Sequence, residues 1–542
     1  MIKSNQKVVR SMEKNSVAKL QAEVTKLEHQ IIDLKDRLAI QVEKTNQTKK
    51  SLEYYKNNVE KMIENAVKEA VEKVTNEFED IIREKDQRIF ELEARLNINS
   101  DNSSLPSSQT PIYQSKICNS RVPSGDKPGR KNGHKKDGLA AFTEEEINER
   151  IEHTKEDCSK CGGHNLKLIK TRIRDEFDVK VTVIKRRHYF YDYKCLDCGK
   201  IITSEIPNEL HGENQYGVET KTLISALSNY GFIAYNRIRK IIHGLTNGEM
   251  NPSEGYMNKL QKKASDKLSI FVFDVKENIK KAILVYWDDT VVGIGEKDKA
   301  CMRVYTDELF VLYKAHMSKD TDGMDEDGIL QNLPETCTVM HDHLLHNYCS
   351  DYHYKNIECN AHVTRKLEGI TQNTSHKWSD DMKKLLEEML SKRKELLSKE
   401  INCFEVEQIN EFSKKYDEII ENGLQEYIEF KHKYEFEKEE NLLEFMRDYK
   451  GPITAWVYDF TLPYSNNLSE SLLRMLKSKM KISYRFRDIS YAEYFANIRT
   501  YTETCSRFGI NSYDALRKLF EGNPYTVDDL LKIKEDKEKN SQ

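Results

Sequence analysis

No run in the sequence approaches the roughly 18–20 apolar residues that a membrane-spanning helix needs. The first residues, MIKSNQKVVRSMEKN, carry cations with no apolar stretch behind them. Neither a spanning segment nor an export signal is expected, which makes the cytoplasm the expected compartment. Proline is scarce and glycine modest, 10 and 22 in 542 residues, which excludes collagenous and Pro/Gly-rich low-complexity chains. Apolar residues are few for a compact globule, 38% against 32% charged, so part of the chain should be long solvated helix. Cysteines number 11, an odd count; without export, metal ligation or free thiols are expected rather than disulfides. The length corresponds to about three or four domains.

A dominant charge sign is missing as well. Lys and Arg total 86 against 90 Asp and Glu, and the near balance hides segregation. Between Ser471 and Arg487 the cations Arg474, Lys477, Lys479, Lys481, Arg485 and Arg487 occur with no acid. Lys127, Arg130, Lys131, Lys135 and Lys136 form a second acid-free cluster. Such clusters suit a phosphate backbone; a solvated face accounts equally well for either one alone.

Residues 15–97 lack both proline and glycine, and Val17, Leu20, Val24, Leu27, Ile31, Leu34 and Leu38 step by threes and fours. The series resumes at Leu52, Tyr55, Val59, Met62 and Ala66. After a phase slip it continues through Val71, Val74, Phe78, Ile82, Ile89, Leu92 and Leu96. So narrow a stripe is the seam of a coiled coil rather than the face of a globule-bound helix. Residues 1–97 are therefore expected to form an arm for self-association. Residues 98–140, rich in Ser, Asn and Pro, read as a flexible basic linker. Its end, KPGRKNGHKKDG, could lie along phosphates or serve as a solubilising hinge.

Cys158-x-x-Cys161 and Cys195-x-x-Cys198 are the sharpest local signal. Each pair fits a tight turn aiming two thiolates at one ion, and two such turns make the four-sulfur shell that structural zinc accepts. FDVKVTVIKRRHYFYDYKC, between them, alternates and reads as two strands. A thioredoxin-like pair would need a βαβ setting that is absent; His164 could replace one ligand. A zinc-binding module is expected over 141–210. Residues 211–275 turn helical, and RIRKIIHGLTNGEMNPSEGYMNKLQKKA loosely fits a DNA-binding helix-turn-helix. A plain helical hairpin fits it as well.

AILVYWDDT is a short apolar run ending in Asp288 and Asp289, and TCTVMHD ends likewise in Asp342. LPYSNNLSESLLRMLKSK is a loop entering a helix with Glu470 in its first turn. Acids at two strand ends and one later helix are the constellation that holds two divalent cations, magnesium or manganese given hard oxygen ligands. Each acid alone has a plainer reading. Strand-end acids begin turns, and Asn467-x-x-Glu470 is close to a capping box.

Pro463-Tyr464-Ser465-Asn466-Asn467-Leu468-Ser469-Glu470, followed by Arg474 and Lys477, resembles the signature of the insertion-sequence 66 family of bacterial transposases. There a Pro-Tyr-Thr-Asn-Asn-x-Ala-Glu motif carries the last acid of an Asp-Asp-Glu triad. Lys481-Ile482-Ser483 and Phe486-Arg487 look like its continuation. Asp288-Asp289-Thr290 resembles the family's Asp-Glu-Thr, Asp342 with Tyr348 its second acid motif, and Cys359-x-x-His362-x-x-Arg365 its Cys-x-x-His-x-x-Arg. The Cys pairs resemble its zinc domain. His343 and Ser471 depart from it, standing where Gly and Arg are usual.

The resemblance implies a multidomain protein: coiled coil (1–97), basic linker, zinc module, helical DNA-binding segment, and a ribonuclease H-like α/β catalytic core with a helical insertion. The core would occupy 276–365 and 456–525, the insertion 366–455, and a charged tail 526–542. The implied activity is metal-dependent cleavage of double-stranded DNA at transposon ends and strand transfer into target DNA, in the bacterial cytoplasm near the nucleoid. Asp288, Asp342 and Glu470 would be catalytic. Asn466, Asn467, Cys359, His362 and Arg365 would support them, and Arg474, Lys477, Lys481, Arg485 and Arg487 would contact DNA. A non-catalytic DNA-binding protein derived from a transposase is the alternative.

Overall fold

The computed structural model describes residues 19–20, 22–40, 59–99, 102, 140–207, 210, 212, 214–431 and 436–541. The basic linker residues Lys127, Arg130, Lys131, Lys135 and Lys136 lie outside them, as do Val17, Leu52 and Tyr55 of the expected seam. Two compact units can be distinguished. One comprises the N-terminal helices, residues 216–232 and the chain from 259 onward. The other holds the described part of 117–215 together with 233–258.

In the first unit, residues 22–40 are helical and Val59–Leu96 forms a long arm helix. With no proline or glycine in either, nothing interrupts the backbone ladder. Glu23 and Lys85 lie 3.8 Å apart, and Leu27 and Val74 are buried. The expected seam is only partly covered: Met62, Val71, Ile82, Leu92 and Leu96 remain exposed. The end of the arm is anchored elsewhere. Ala94 enters the core of the helical insertion, Phe90 meets Phe436 edge-on at 5.2 Å, and Asn102 Nδ2 donates to Gln372 Oε1 at 2.6 Å. Gly369 is required at this junction, because a Cβ there would stand 2.5 Å from the Asn102 carbonyl oxygen.

In the second unit the two Cys-x-x-Cys turns are near copies. Gly162 N–H donates to Cys158 O and Gly199 N–H to Cys195 O, both at 2.8 Å, with both glycines in the left-handed region. Strand β1 (Asp192–Lys194) pairs antiparallel with β2 (Ile201–Thr203). The sequence leads one to expect two strands between the knuckles, but only β1 forms there and its partner follows the second knuckle. The alternation upstream has no neighbouring strand to pair with, and Leu168, Ile169 and Val179 stay exposed. Helix Tyr235–Leu245 buries Ile238 and Ile242. The next helix begins at Glu254, a connection longer than the roughly three or four residues of a helix-turn-helix.

The first unit also holds a five-stranded mixed sheet: β3 (Leu284–Ile294), β4 (Asp298–Thr306), β5 (Val311–His316), β6 (Thr338–His341) and β7 (Lys355–Glu358), in the order β5-β4-β3-β6-β7. β3, β4 and β5 are antiparallel neighbours, and β6 and β7 run parallel to β3. Val, Tyr, Trp and Met supply the β-branched and bulky side chains that fit a pleated, covered surface. A basic helix, Asn467–Ser483, buries Leu472, Leu473 and Leu476 against Val292, Met302 and Val304 of this sheet, beside Phe495 and Ala496 of helix Ile489–Arg507. The described residues between 360 and 460 are mostly helical and pack around Trp378, Met382, Leu386, Tyr416 and Trp456. The residues expected to form a charged tail continue as helix Val527–Ser541, with Leu530 fully buried.

One buried polar knot holds the crossover out of β5. The Arg303 guanidinium, fully buried on β4, donates to Asp327 Oδ2 (3.0 Å), Gly323 O (2.9 Å) and Ser318 O (2.7 Å). Tyr305 OH donates to the same Asp327 oxygen at 2.9 Å.

Candidate metal centre

Register brings the first two acids together. β3 and β6 pair in parallel from Leu284 opposite Thr338 to Tyr286 opposite Met340. Continuing that register two residues sets Asp288 opposite Asp342, on strands about 4.8 Å apart. Asp288 therefore sits inside β3 rather than at its end, because β3 runs on into the hairpin with β4. Asp342 follows β6 directly. Successive side chains on a strand face opposite ways, and Asp289 illustrates it. Its carboxylate is taken up by Lys319 at 2.9 Å and by the Cys301 thiol at 3.3 Å, while its N–H donates to Asp288 Oδ1 at 2.7 Å. Burial, then the Asp342 carboxylate, pushes Asp288 well above the usual carboxylate range; Lys477 pulls the other way.

Glu470 reaches the same place from the first turn of the basic helix. Ligand atoms of Asp342, Cys359, His362 and Glu470 all lie within 4.8 Å of one another. His362 Nδ1 is 2.6 Å from Asp342 Oδ1 and 3.7 Å from Glu470 Oε1. Arg365 and Arg474 stand 3.8 and 3.7 Å from Glu470 Oε2. The capping-box reading of Glu470 is therefore displaced: its carboxylate turns to this cluster, and its own N–H donates to Asn466 O at 3.1 Å.

The loop before Glu470 is fixed by buried hydrogen bonds. Asn466 Nδ2 donates to Trp287 O at 2.8 Å, one residue from Asp288, and Asn466 Oδ1 accepts from Ser469 Oγ at 2.6 Å. Asn466 N–H donates to Cys359 Sγ at 3.2 Å, and the Cys359 thiol donates to Glu470 Oε1 at 3.7 Å. Burial, followed by the charge of Asp342, raises that thiol; Cys359 is a clamp between Asn466 and Glu470, and its sulfur is also one of the four clustered donor atoms. Asn467 is exposed.

His343 turns away. Its Nδ1 lies 2.8 Å from Glu358 Oε1, which also accepts from Tyr348 OH at 2.6 Å. The imidazole packs on Phe445 and Tyr449. Trp287, Ser469 and Glu358 have no assigned role in the sequence reading. The first two adjoin its acids, but hydrogen bonding across the fold leaves no local pattern.

A divalent cation fits the donor set. Asp342 Oδ1 and His362 Nδ1 are buried and close, yet neither has a hydrogen-bond partner of proper direction; an ion bound by both from one side would satisfy them. The group within 4.8 Å offers two carboxylates, one imidazole and the Cys359 sulfur, a set that suits a borderline ion, and Asp288 is not a member of it. The Cys158 and Cys195 thiols are each lowered by N–H groups of their own turns, which suits metal ligation. Among the described residues the four sulfurs do not gather into one cluster like that around Asp342.

Of the expected DNA contacts, Arg474 and Lys481 are exposed and Lys477 is half-buried. With Glu470 they step by four, three and four along one face of the basic helix. Arg485 is engaged otherwise, its guanidinium held by the carbonyls of Gly295 and Glu296. Arg487 is exposed.

The site thus lies in a mixed α/β domain, with a candidate metal-binding group beside its central strands. Residues 214–494 match the family described as Transposase IS66 family. That is just over half of the chain, and the chain belongs to this family. The membership carries a transposase function on DNA, a polynucleotidyl-transfer type of activity, and a family habit of using divalent metal. No curated protein sequence matches the chain. No helix among the described residues is long and apolar enough to cross a membrane.

Proposed function

We propose that this protein is an active Asp-Asp-Glu transposase that cuts at the ends of its element and joins them to target DNA. The observation that carries the proposal is the meeting of Asp342 and Glu470 within 4.8 Å, with Asp288 in register beside them. The strand order β5-β4-β3-β6-β7, antiparallel on one side and parallel on the other, supports a ribonuclease H-like core. Asp288, Asp342 and Glu470 would hold magnesium or manganese, with His362 at their margin. When bound, such ions activate water or a 3′-hydroxyl and neutralise charge on the reacting phosphate.

The protein's own residues supply position. Asn466, held by Trp287 O and Cys359, fixes the start of the basic helix, so Glu470 meets the strand acids without reorganisation. Arg474, Lys477 and Lys481 lead away from Glu470 over about 16 Å of helix, at ~1.5 Å per residue, a track for several phosphates of one strand. Incubation with DNA carrying the element's own ends and magnesium should yield cut product. Binding without any product would favour the non-catalytic descendant.

The four cysteines are read as one structural zinc site. Purified protein is expected to carry one zinc per chain in addition to any catalytic metal, and Cys195→Ser to lose it together with the fold of residues 140–215. Full zinc content in that variant would refute the assignment. The arm is read as a self-association element, because Met62, Val71, Ile82, Leu92 and Leu96 stay exposed in a single chain. Deleting residues 1–97 should leave a smaller oligomer by light scattering, and a full-length protein that is monomeric at micromolar concentration would contradict this.

A further inference from the structure

The segment just before the second Cys-x-x-Cys turn carries aromatic residues in an unusual state. Tyr189, Phe190, Tyr191 and Tyr193 are 66, 40, 58 and 61% exposed. Alternate rings are aligned. Tyr189 and Tyr191 stack with centroids 6.5 Å apart and planes 15° from parallel, and His188 and Phe190 do so at 6.4 Å and 11°. An extended chain sets residues i and i+2 on one side about 6.6 Å apart, which accounts for the spacing. Stacked bases repeat at about 3.4 Å, so a gap near twice that value admits one flat base between two rings.

Cations flank the rings. Arg186 and Arg187 are exposed and form no ion pair among the described residues, while neighbouring Lys185 is held by Glu249 at 2.5 Å. Aromatic faces beside free guanidinium groups combine stacking for bases with charge for phosphates, the two elements of single-strand binding. A duplex hides its base faces within its own stack and could use only the cations.

We propose that residues 186–193 form a platform for unpaired DNA bases, with Tyr189, Tyr191, His188 and Phe190 stacking and Arg186 and Arg187 holding phosphates. The proposal rests on the transposase reading and gives it a second DNA contact, for strands unpaired at the element ends. It is independent of the acid cluster and of the basic helix.

The test uses the full-length protein with iodouracil-substituted oligo(dT), as a single strand and annealed to oligo(dA). Tyr189→Ala with Tyr191→Ala should weaken single-strand binding by about tenfold or more, the scale of losing ring–base stacks, while duplex affinity and zinc content stay as in wild type. Tyr189→Phe with Tyr191→Phe keeps the ring faces and should bind like wild type. Photo-crosslinks from the single strand should fall on residues 188–193. Unchanged single-strand affinity in the alanine variant, or crosslinks confined to other segments, would overturn the platform. So would loss of self-association in place of DNA binding. Wild-type protein that binds duplex but not single strand also removes the platform and leaves the transposase reading intact; protein that binds neither form removes both.

Discussion

Cleavage of an element end is expected to fall by about 10³-fold or more in Asp342→Asn and in Glu470→Gln. Each change keeps the side chain's shape and removes its charge. Ion capture and charge neutralisation at the reacting phosphate are worth several kcal/mol, and each factor of ten in rate is about 1.36 kcal/mol. Asp288→Asn should behave alike, because Asp288 is set opposite Asp342 by the β3–β6 register. Affinity for DNA should stay within a few-fold, since the basic helix is untouched. Arg474→Ala and Lys477→Ala should show the reverse: weaker binding, and a salt dependence shallower by about one unit of slope per lost phosphate contact. Gel-based cleavage beside fluorescence anisotropy separates the two effects. Normal cleavage by the acid variants would leave Glu470 as a structural residue only.

The largest effect on stability is expected far from this chemistry, at Asp327→Ala. Arg303 has no exposed surface and its guanidinium is completed by the Asp327 carboxylate, which also receives the Tyr305 hydroxyl. Removing the acid leaves a buried cation and a buried hydroxyl unpaired, a loss of about 3–5 kcal/mol for a broken buried pair. The urea midpoint of the core transition should drop accordingly. Asp327→Asn, which can still accept from Tyr305, should lose less. A midpoint within experimental scatter of wild type in Asp327→Ala would show that the crossover helix Thr321–Asp327 relaxes to admit water.

How far these features were legible in the sequence depends on the range of the interaction that makes them. Strands β3 and β6 and the basic helix were readable because their apolar runs are local properties, although β3 runs on past Asp288. The helical insertion was readable as helix, but its edges were not. Helix Asn360–Thr374 and helix Lys450–Tyr458 run across the expected boundaries, because packing in three dimensions places a helix end, not a change in composition. Between the Cys pairs, alternation suggested strands, yet a strand also needs a partner, and only Asp192–Lys194 has one. The clamp from Cys359 through Asn466 to Trp287 joins three distant segments, and no local spacing announces it. His343 stands where the family usually has Gly, and the Glu358 carboxylate, presented by the neighbouring β7, holds its imidazole.

The central claim is that three acids from two strands and a helix hold the ions of a transposase. Anomalous scattering from crystals grown with manganese tests it most directly. The account predicts manganese between Asp342 and Glu470, with Asp288 as a further ligand, and loss of that peak in Asp342→Asn. Manganese found only at other sites, with these carboxylates unligated at saturating concentration, would contradict it.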